Sequence, residues 1–142
     1  MMSNSQFDRL MSEAVKHIGK PYDTGNGKGN GPDKFDCSGF VRWVYTYSGV
    51  YNIMKPEWRS SWQMVDAFKR LESIDMKRKG DVLFFRGIGD AQYRIGHVGI
   101  YLGDNRMLHA TTANGEGSVC FADISENKWR KRLVSVGRVP SA

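Results

Sequence analysis

The N-terminal part of the chain places apolar side chains three and four positions apart. Over residues 3–18 this spacing predicts an amphipathic helix, with Ser3 or Ser5 as its N-cap and Gly19 at its end. The apolar positions are Phe7, Leu10, Met11, Ala14, Val15 and Ile18. One face of this helix is therefore expected to pack against the rest of the fold.

Two further helices are predicted from the same kind of spacing. The first begins at Cys37, with Asp36 as its N-cap and Gly49 as its natural C-terminal cap. Its apolar side consists of Phe40, Val41, Val44 and Tyr47. The second begins at Ser60 or Ser61. Its apolar stripe consists of Trp62, Val65, Phe68 and Leu71.

The period of the pattern changes to two after Lys79. Short apolar or alternating runs predict four strands, and a tight hairpin loop at residues 103–105 joins the middle two. The predicted strands are residues 81–85, 97–102, 106–111 and 133–139. Helices followed by an antiparallel sheet favour an α+β fold. The length is that of a single domain, expected over residues 1–142.

The predicted hairpin brings two histidines together. If Leu102 pairs with Arg106, His109 lies opposite Gly99, and His97 becomes its diagonal neighbour on the same face of the sheet. Diagonal Cβ atoms are about 7–8 Å apart, which two imidazole rings can bridge. Gly99 leaves room beside them, so the register predicts a pair of histidines.

Cys37 is predicted at the first position of a helix, a place that favours a reactive thiol. Unpaired backbone N–H groups and the positive end of the helix dipole lower a thiol pKa there, whereas the Asp36 carboxylate acts in the opposite direction. If the helix packs on the sheet, Cys37, His97 and His109 provide a nucleophile, a base and an orienting group. The alternative is structural, since single buried cysteines and strand histidines most often serve packing or hydrogen bonding.

A glycine-rich loop precedes Cys37. Residues 23–33 carry glycine at positions 25, 27, 29 and 31, but no Gly-Lys-Ser/Thr follows and no strand precedes, so this is not a phosphate-binding loop. It is predicted to be a surface loop, with the rim of a substrate groove as the alternative. Trp58 and Trp62 are open to two interpretations as well, groove lining or partly buried packing.

The composition indicates an ordinary globular protein with an anionic partner. Charged residues make up 25% of the chain and hydrophobic residues 40%, which argues against disorder. The net charge of +6 would suit a nucleic acid, a membrane surface or an anionic wall polymer. No apolar run approaches the roughly 20 residues that span a bilayer. Residues 1–10 lack the apolar segment of a signal peptide.

The two cysteines, Cys37 and Cys120, are too few for a disulfide scaffold. Cys120 is expected to be a buried structural thiol, since a disulfide with Cys37 would block the reactive sulfur. Zinc binding by both cysteines with His97 and His109 is a further alternative, but the paired close spacings of structural zinc sites are missing from the sequence. No metal and no cofactor is therefore expected.

Three segments together resemble one protein family. They are Asp36-Cys37-Ser38-Gly39-Phe40-Val41, Lys79-Gly80-Asp81-Val82-Leu83-Phe84-Phe85 and Gly96-His97-Val98-Gly99-Ile100-Tyr101-Leu102-Gly103. Their order and spacing, over roughly residues 8–139, resemble the NlpC-type family of bacterial cell-wall cysteine peptidases. The resemblance implies a papain-like α+β fold, with N-terminal helices and the nucleophile helix packed on a central antiparallel sheet. It also implies a peptidoglycan hydrolase that cleaves stem peptides, commonly between D-glutamate and a diamino acid.

The resemblance implies roles for five residues. The family's nucleophile and base match Cys37 and His97, and its third polar residue, on the next strand, matches His109. Its oxyanion-hole tyrosine matches Tyr22, at the end of a Gly-x-x-Tyr pattern, although the loop from Tyr22 to Cys37 is longer than is usual. Ser38, next to the nucleophile, is expected to shape substrate binding. The cysteine precedes the histidine, which disfavours the circularly permuted, lipid-acting relatives.

Other functions stay open at this point. A related enzyme of the CHAP class would use the same cysteine–histidine pair as an N-acetylmuramoyl-L-alanine amidase or a cross-bridge endopeptidase. A catalytically silent domain would only bind the wall. Nucleic-acid binding would rest on charge clusters at residues 77–79 and 128–132, which are usually solvated faces, and no nucleic-acid motif accompanies them.

Peptidoglycan is the expected partner, with no nucleic acid and no insertion into a membrane. The protein is expected to be a monomer that acts at the cell wall, in the periplasm or outside the cell. Since no signal peptide is visible, another export route, release by a phage or a removed leader is expected. A secreted effector would in addition require an immunity protein in its producer.

Overall fold

The computed structural model describes residues 2–23, 29–89, 92–113 and 117–140. These residues form helices around one six-stranded sheet. The helices are α1 (Asn4–Val15), α2 (Cys37–Tyr47), α3 (Ser61–Met64) and α4 (Asn127–Arg130). The strands are β1 (Lys69–Arg70), β2 (Val82–Arg86), β3 (Ile95–Gly103), β4 (Arg106–Thr111), β5 (Ser118–Asp123) and β6 (Leu133–Arg138). Short 3₁₀ turns cover Pro56–Trp58, Val65–Ala67 and Ile74–Met76. In the described residues, no helix has the length and apolar character needed to cross a membrane.

The strands run antiparallel in the order β1-β6-β2-β3-β4-β5. Alternate side chains of a strand point to opposite faces, so each face carries its own apolar cluster. Val98 and Ile100 of β3 belong to the larger cluster, which contains the predicted Phe40, Val41 and Val44 of α2. Tyr47 was predicted on this side but is 55% exposed, and Tyr45 is buried instead. Leu83 and Tyr101 belong to the second cluster together with Trp129 of α4. The predicted packing of the Cys37 helix on a central antiparallel sheet is therefore confirmed.

The first helix is shorter than predicted. Ser3 caps α1 through a reciprocal pair of hydrogen bonds with Gln6, in which Gln6 N donates to Ser3 Oγ over 3.1 Å and Ser3 N donates to Gln6 Oε1 over 2.9 Å. The helix ends at Val15. The chain then turns, and Gly19 adopts a φ of +88°, a left-handed conformation that favours glycine.

The prediction of a third helix is correct for its first turn and wrong beyond it. The α-helix ends at Met64, a 3₁₀ turn follows, and Phe68 is already extended. The Phe68 ring packs near that of Phe84, with centroids 6.3 Å apart, and Leu71 N donates to Val136 O over 2.9 Å. Contacts with distant strands therefore outweigh the helical spacing of this segment.

The central hairpin has the predicted register except for a bulge beside its turn. The two turn residues have φ values of 51° and 60°, as a tight hairpin turn requires. Ile100 pairs with Leu108 as predicted, but Gly103 rather than Leu102 pairs with Arg106. The bulge lies between Tyr101 and Gly103, next to the turn, so the register further along the hairpin is as predicted.

The glycine-rich loop is described only from Gly29 onward, and residues 24–28 lie outside the described residues. Its described end packs under the start of α2, where Asp36 N donates to Gly29 O over 2.9 Å. A Cβ on Gly29 or on Gly39 would overlap backbone atoms of this contact. This part of the loop therefore supports the helix that begins at Cys37, a role that the sequence did not indicate.

Candidate active site

Cys37 is the first residue of α2 and lines a cleft of about 310 Å³. The Asp36 carboxylate caps the helix, since its Oδ1 accepts a hydrogen bond of 2.6 Å from Gly39 N. Cys37 is 7% exposed, and Tyr22 and Ser38 line the same cleft. The predicted N-cap is confirmed, and the thiol lies at the end of the helix where backbone N–H groups lack helical partners.

Tyr22 contacts Cys37 at two points. The tyrosine hydroxyl forms hydrogen bonds with the backbone N–H and with the side chain of Cys37. Burial raises the pKa of Tyr22, and the neighbouring Cys37 and Asp36 raise it further. The hydroxyl therefore keeps its proton across the physiological pH range and remains a hydrogen-bond donor.

An edge strand that the sequence pattern did not predict, β5, places Tyr22. Gly19 N donates to Val119 O over 2.9 Å, and Tyr22 N donates to Gly117 O over 3.3 Å. Residues 19–22 thus follow the outer edge of the sheet. The long loop that follows does not displace Tyr22, because the sheet edge holds its backbone.

His97 and His109 form the predicted pair. His97 Nε2 and His109 Nδ1 are joined by a hydrogen bond of 2.7 Å. Both residues are buried, at 7% and 1% exposure. A Cβ at position 99 would lie only 3.2 Å from the Cβ of His109, so Gly99 leaves the space that this contact needs. The hairpin register predicted from the sequence therefore produces the contact.

Trp129 of α4, which is not among the residues predicted for the site, covers this pair of imidazoles. Its ring stacks on that of His97 with centroids 5.2 Å apart and an interplanar angle of 26°. It meets His109 edge-on, with centroids 5.0 Å apart. Trp129 is 2% exposed and shields both rings from water. Its signal in the sequence is a single aromatic residue inside the basic run 128–132.

The packing of α2 brings Cys37 against β3 at the residue next to His97. The Cys37 sulfur accepts a hydrogen bond from the backbone N–H of Val98. Within the described residues, no hydrogen bond joins the sulfur to the imidazole ring of His97 itself. Cys37 therefore meets β3 at the backbone next to His97, whereas the His97 ring lies against Phe85 and Trp129 of the second cluster. A direct contact between the thiol and the imidazole stays a prediction.

Burial decides the protonation of these groups. It raises the pKa of the Cys37 thiol to about 11, and the Asp36 carboxylate adds to the rise. It lowers the pKa of His109 to about 3 and that of His97 well below its usual range. The backbone N–H of Ser38, at the helix terminus, does act to lower the thiol pKa, as expected, but desolvation outweighs it. At neutral pH the resting site thus holds a neutral thiol and two neutral imidazoles.

Ser38 is bound to Arg59, which is not among the residues predicted for the site. Arg59 pairs with both carboxylate oxygens of Asp36, with Nη2 to Oδ2 at 2.7 Å and Nη1 to Oδ1 at 3.1 Å. Arg59 Nη1 also donates to Ser38 Oγ over 2.9 Å. Ser38 is 4% exposed, so it supports Arg59 at the cleft, and its expected role in substrate binding stays a prediction.

Cys120 lies beside the histidine pair. It faces His109 across β4 and β5, and no disulfide joins it to Cys37, both residues being described. It is half-buried rather than fully buried as expected. In the described ranges no group of three or more His, Cys, Asp or Glu side chains is arranged to hold a metal ion.

The two tryptophans near the cleft differ in exposure. Trp58 is half-buried, with its ring 6.5 Å from that of Tyr51 and with Lys55 Nζ 4.7 Å from its centroid. This arrangement fits the packing interpretation. Trp62 is 52% exposed and directly follows Ser61 of the cleft.

Known proteins are similar in sequence to this chain over most of its length. Residues 19–138 match the sequence profile of the NlpC/P60 family. A probable endopeptidase p60 of Listeria welshimeri is 39% identical over 130 residues, which cover 92% of this chain and 22% of that protein. The bifunctional muramidase/DL-endopeptidase CwlT of Bacillus subtilis is 34% identical over 134 residues, which cover 94% of this chain and 36% of that protein. The chain thus spans about a fifth to a third of the length of these relatives.

Solved structures share the fold. A lipoprotein-like NLP/P60 family protein of Staphylococcus aureus superposes with a TM-score of 0.80 at 28% identity, over 99% of this chain and 43% of that chain. The peptidoglycan hydrolase RipB of Mycobacterium tuberculosis superposes with a TM-score of 0.72 at 26% identity, over 97% of this chain and 66% of that chain. The predicted papain-like α+β fold is confirmed, and the chain belongs to the NlpC/P60 family.

Proposed function

We propose that this domain is a peptidoglycan hydrolase, a cysteine endopeptidase that cleaves wall stem peptides at the D-glutamyl–diamino acid bond. Family membership supports the reaction class. The similar p60 and CwlT proteins are named as endopeptidases, CwlT as a DL-endopeptidase. The family resemblance makes the D-glutamyl bond the first bond to test.

The observation that carries the proposal is the group of donors around the Cys37 sulfur. The backbone N–H of Cys37 and the Tyr22 hydroxyl meet beside the sulfur, at the end of α2 where N–H groups lack helical partners. A carbonyl carbon attacked by this sulfur would have its oxygen within reach of both donors. They therefore form an oxyanion hole.

His97 acts as the base, and His109 orients it. In the tautomer we assign, His97 Nε2–H donates to His109 Nδ1 across the 2.7 Å contact, which leaves a lone pair on His97 Nδ1. This lone pair takes the thiol proton as the sulfur attacks the stem-peptide carbonyl, and the proton then goes to the leaving amine. Water hydrolyses the resulting thioester by the same route.

The neutral resting state is consistent with this mechanism. A thiol with a pKa of about 11 beside an imidazole with a lowered pKa gives up its proton only as the carbon–sulfur bond forms. His97 is then a general base, not a resting imidazolium. Because its pKa is low, the imidazolium formed during the attack readily protonates the leaving amine.

The competing functions give different products. A CHAP-like amidase would split the bond between muramic acid and L-alanine, and a cross-bridge endopeptidase would separate linked stems. A silent wall-binding domain would release nothing. The donors around Cys37 and the shielded histidine pair favour catalysis over silent binding.

Digestion of defined muropeptides, with product masses read by mass spectrometry, tests the proposal. The wild-type protein is expected to split the stem after D-glutamate, and Cys37→Ala is expected to release no product. Cys120→Ser is the matched control, and it keeps activity because Cys120 lies outside the donor group. Cleavage by Cys37→Ala would overturn the cysteine mechanism, and a released L-alanine terminus would indicate an amidase.

In this role the domain acts at the cell wall as a monomer, with peptidoglycan as its partner. Size-exclusion chromatography with light scattering tests the monomer. An immunity protein belongs to this proposal only if the protein is an effector injected into rival cells.

A further inference from the structure

One surface, at the end of β2 and along α4, carries five cations. They are Arg86, Lys128, Arg130, Lys131 and Arg132, called the α4 cationic surface below. All are exposed except Arg132, which is partly buried. The ion pairs found in the described residues join other groups, as in Arg138–Asp81 and Arg59–Asp36, and include none of these five.

Backbone carbonyls hold the two guanidinium groups at the centre of this surface. Arg86 Nη2 donates to Lys131 O over 2.7 Å, and Arg132 Nε donates to Arg86 O over 3.0 Å. Arg132 also lies over Trp129, with Cζ 5.3 Å from the ring centroid. Each guanidinium carries five N–H donors, so both retain donors for an anion while their positions are already held.

The charges on this surface repel one another. Burial lowers the pKa of the Arg132 guanidinium, and repulsion by the neighbouring Arg86 lowers it further. Self-repulsion of this kind opposes folding, and an anion that bridges the two arginines would relieve it. Phosphate oxygens match the forked geometry of arginine in pairs, which makes phosphate the anion of choice.

Two other polyanionic partners fit this surface less well. Single-stranded nucleic acids stack their bases on exposed rings, whereas Trp129 is 2% exposed. Membrane-surface helices need an exposed apolar face, and the other residues of α4 are Asn127, Lys128 and Arg130.

We propose that the α4 cationic surface binds a linear phosphodiester polymer of the cell wall. Binding there would hold the domain on the wall while the Cys37 cleft meets stem peptides. This inference rests on the proposed function only for the source of the polymer, since none of the five residues lines the Cys37 cleft.

Equilibrium binding of poly(glycerol phosphate) tests the inference. The test variant is Arg130→Gln with Lys131→Gln. The matched control is Lys69→Gln with Arg70→Gln, an exposed pair of the same composition in β1, which pairs with the far end of β6. Both variants lose the same net charge. The test variant is expected to bind the polymer about tenfold more weakly than the wild type does. The control variant is expected to bind within about twofold of the wild type. Wild-type binding should weaken as the salt concentration rises from about 50 to 200 mM.

Three results would overturn the inference. They are equal losses in the two variants, no polymer binding by the wild type at low salt, and tighter binding to single-stranded DNA or to anionic vesicles than to poly(glycerol phosphate). Hydrolysis of a small soluble muropeptide is expected to be unchanged in both variants. Polymer binding without any hydrolysis by the wild type would support the inference and count against the proposed function alone.

Discussion

Acid should destabilise this domain through its buried histidine pair. His109 has a pKa of about 3 in the folded protein, against about 6.5 for an unperturbed histidine. Between these two pH values His109 is protonated in the unfolded chain but stays neutral in the folded protein. The stability that the neutral imidazole contributes is therefore complete above about pH 6.5 and is lost as the pH falls toward 3.

The size of the effect follows from the two pKa values. Each pH unit within this window costs about 1.4 kcal/mol for one group. From pH 7 to pH 5, His109 alone should lower the free energy of unfolding by about 2 kcal/mol. His97, whose pKa is also lowered well below its usual range, should add to this loss.

Urea unfolding at pH 7 and pH 5 measures this effect, with His109→Gln as the matched variant. Glutamine does not titrate, and its Oε1 can still accept the hydrogen bond from His97 Nε2. Between the two pH values the wild type should lose about 2 kcal/mol more than the variant, since the other titrating groups act equally in both. Equal losses in the two proteins would refute the assignment of a neutral, shielded His109.

Three further predictions concern the donors and the shield of the site. Tyr22→Phe should lower kcat about 100-fold without changing the urea midpoint, and an unchanged kcat would remove Tyr22 from the oxyanion hole. Trp129→Ala should lower the free energy of unfolding by about 3–5 kcal/mol, whereas Trp129→Phe, which keeps a ring over His97, should lower it much less. Equal urea midpoints for the wild type and Trp129→Ala would contradict the packing of Trp129 on the histidines. Below pH 8, Cys37 in the protein without substrate should react with iodoacetamide more slowly than a free cysteine, because burial raises the pKa of its thiol to about 11. Rapid alkylation at pH 6 would instead indicate a resting thiolate.

Local signals in the sequence were enough for several parts of the site. Asp36 was identified as the N-cap because capping is a contact over three residues, and the structure has that hydrogen bond to Gly39. The contact between His97 and His109 followed from a hairpin whose register the turn and the alternating pattern define. The bulge at Gly103 has no signal in the sequence, but it leaves the register at the histidines unchanged.

Other parts of the site depend on segments far apart in the chain. β5 was not predicted, although four of its six residues are apolar, and its edge holds the backbone of Tyr22. Arg59 reaches Asp36 across 23 positions, and Trp129 reaches His97 across the fold. No short window of sequence contains both members of these contacts, so neither periodicity nor capping rules reveal them.

The sequence by itself determined that Cys37 stands at the start of a helix and that His97 and His109 share a face of the sheet. Helix capping and the alternation of side chains along a strand both act over a few residues. Only the tertiary structure decided that the third predicted helix gives way to strand pairing at β1. It also decided the protonation of the site. The helix terminus favours a thiolate at Cys37, but the burial that α2, β3 and Tyr22 create together raises its pKa, since desolvation depends on every segment that excludes water.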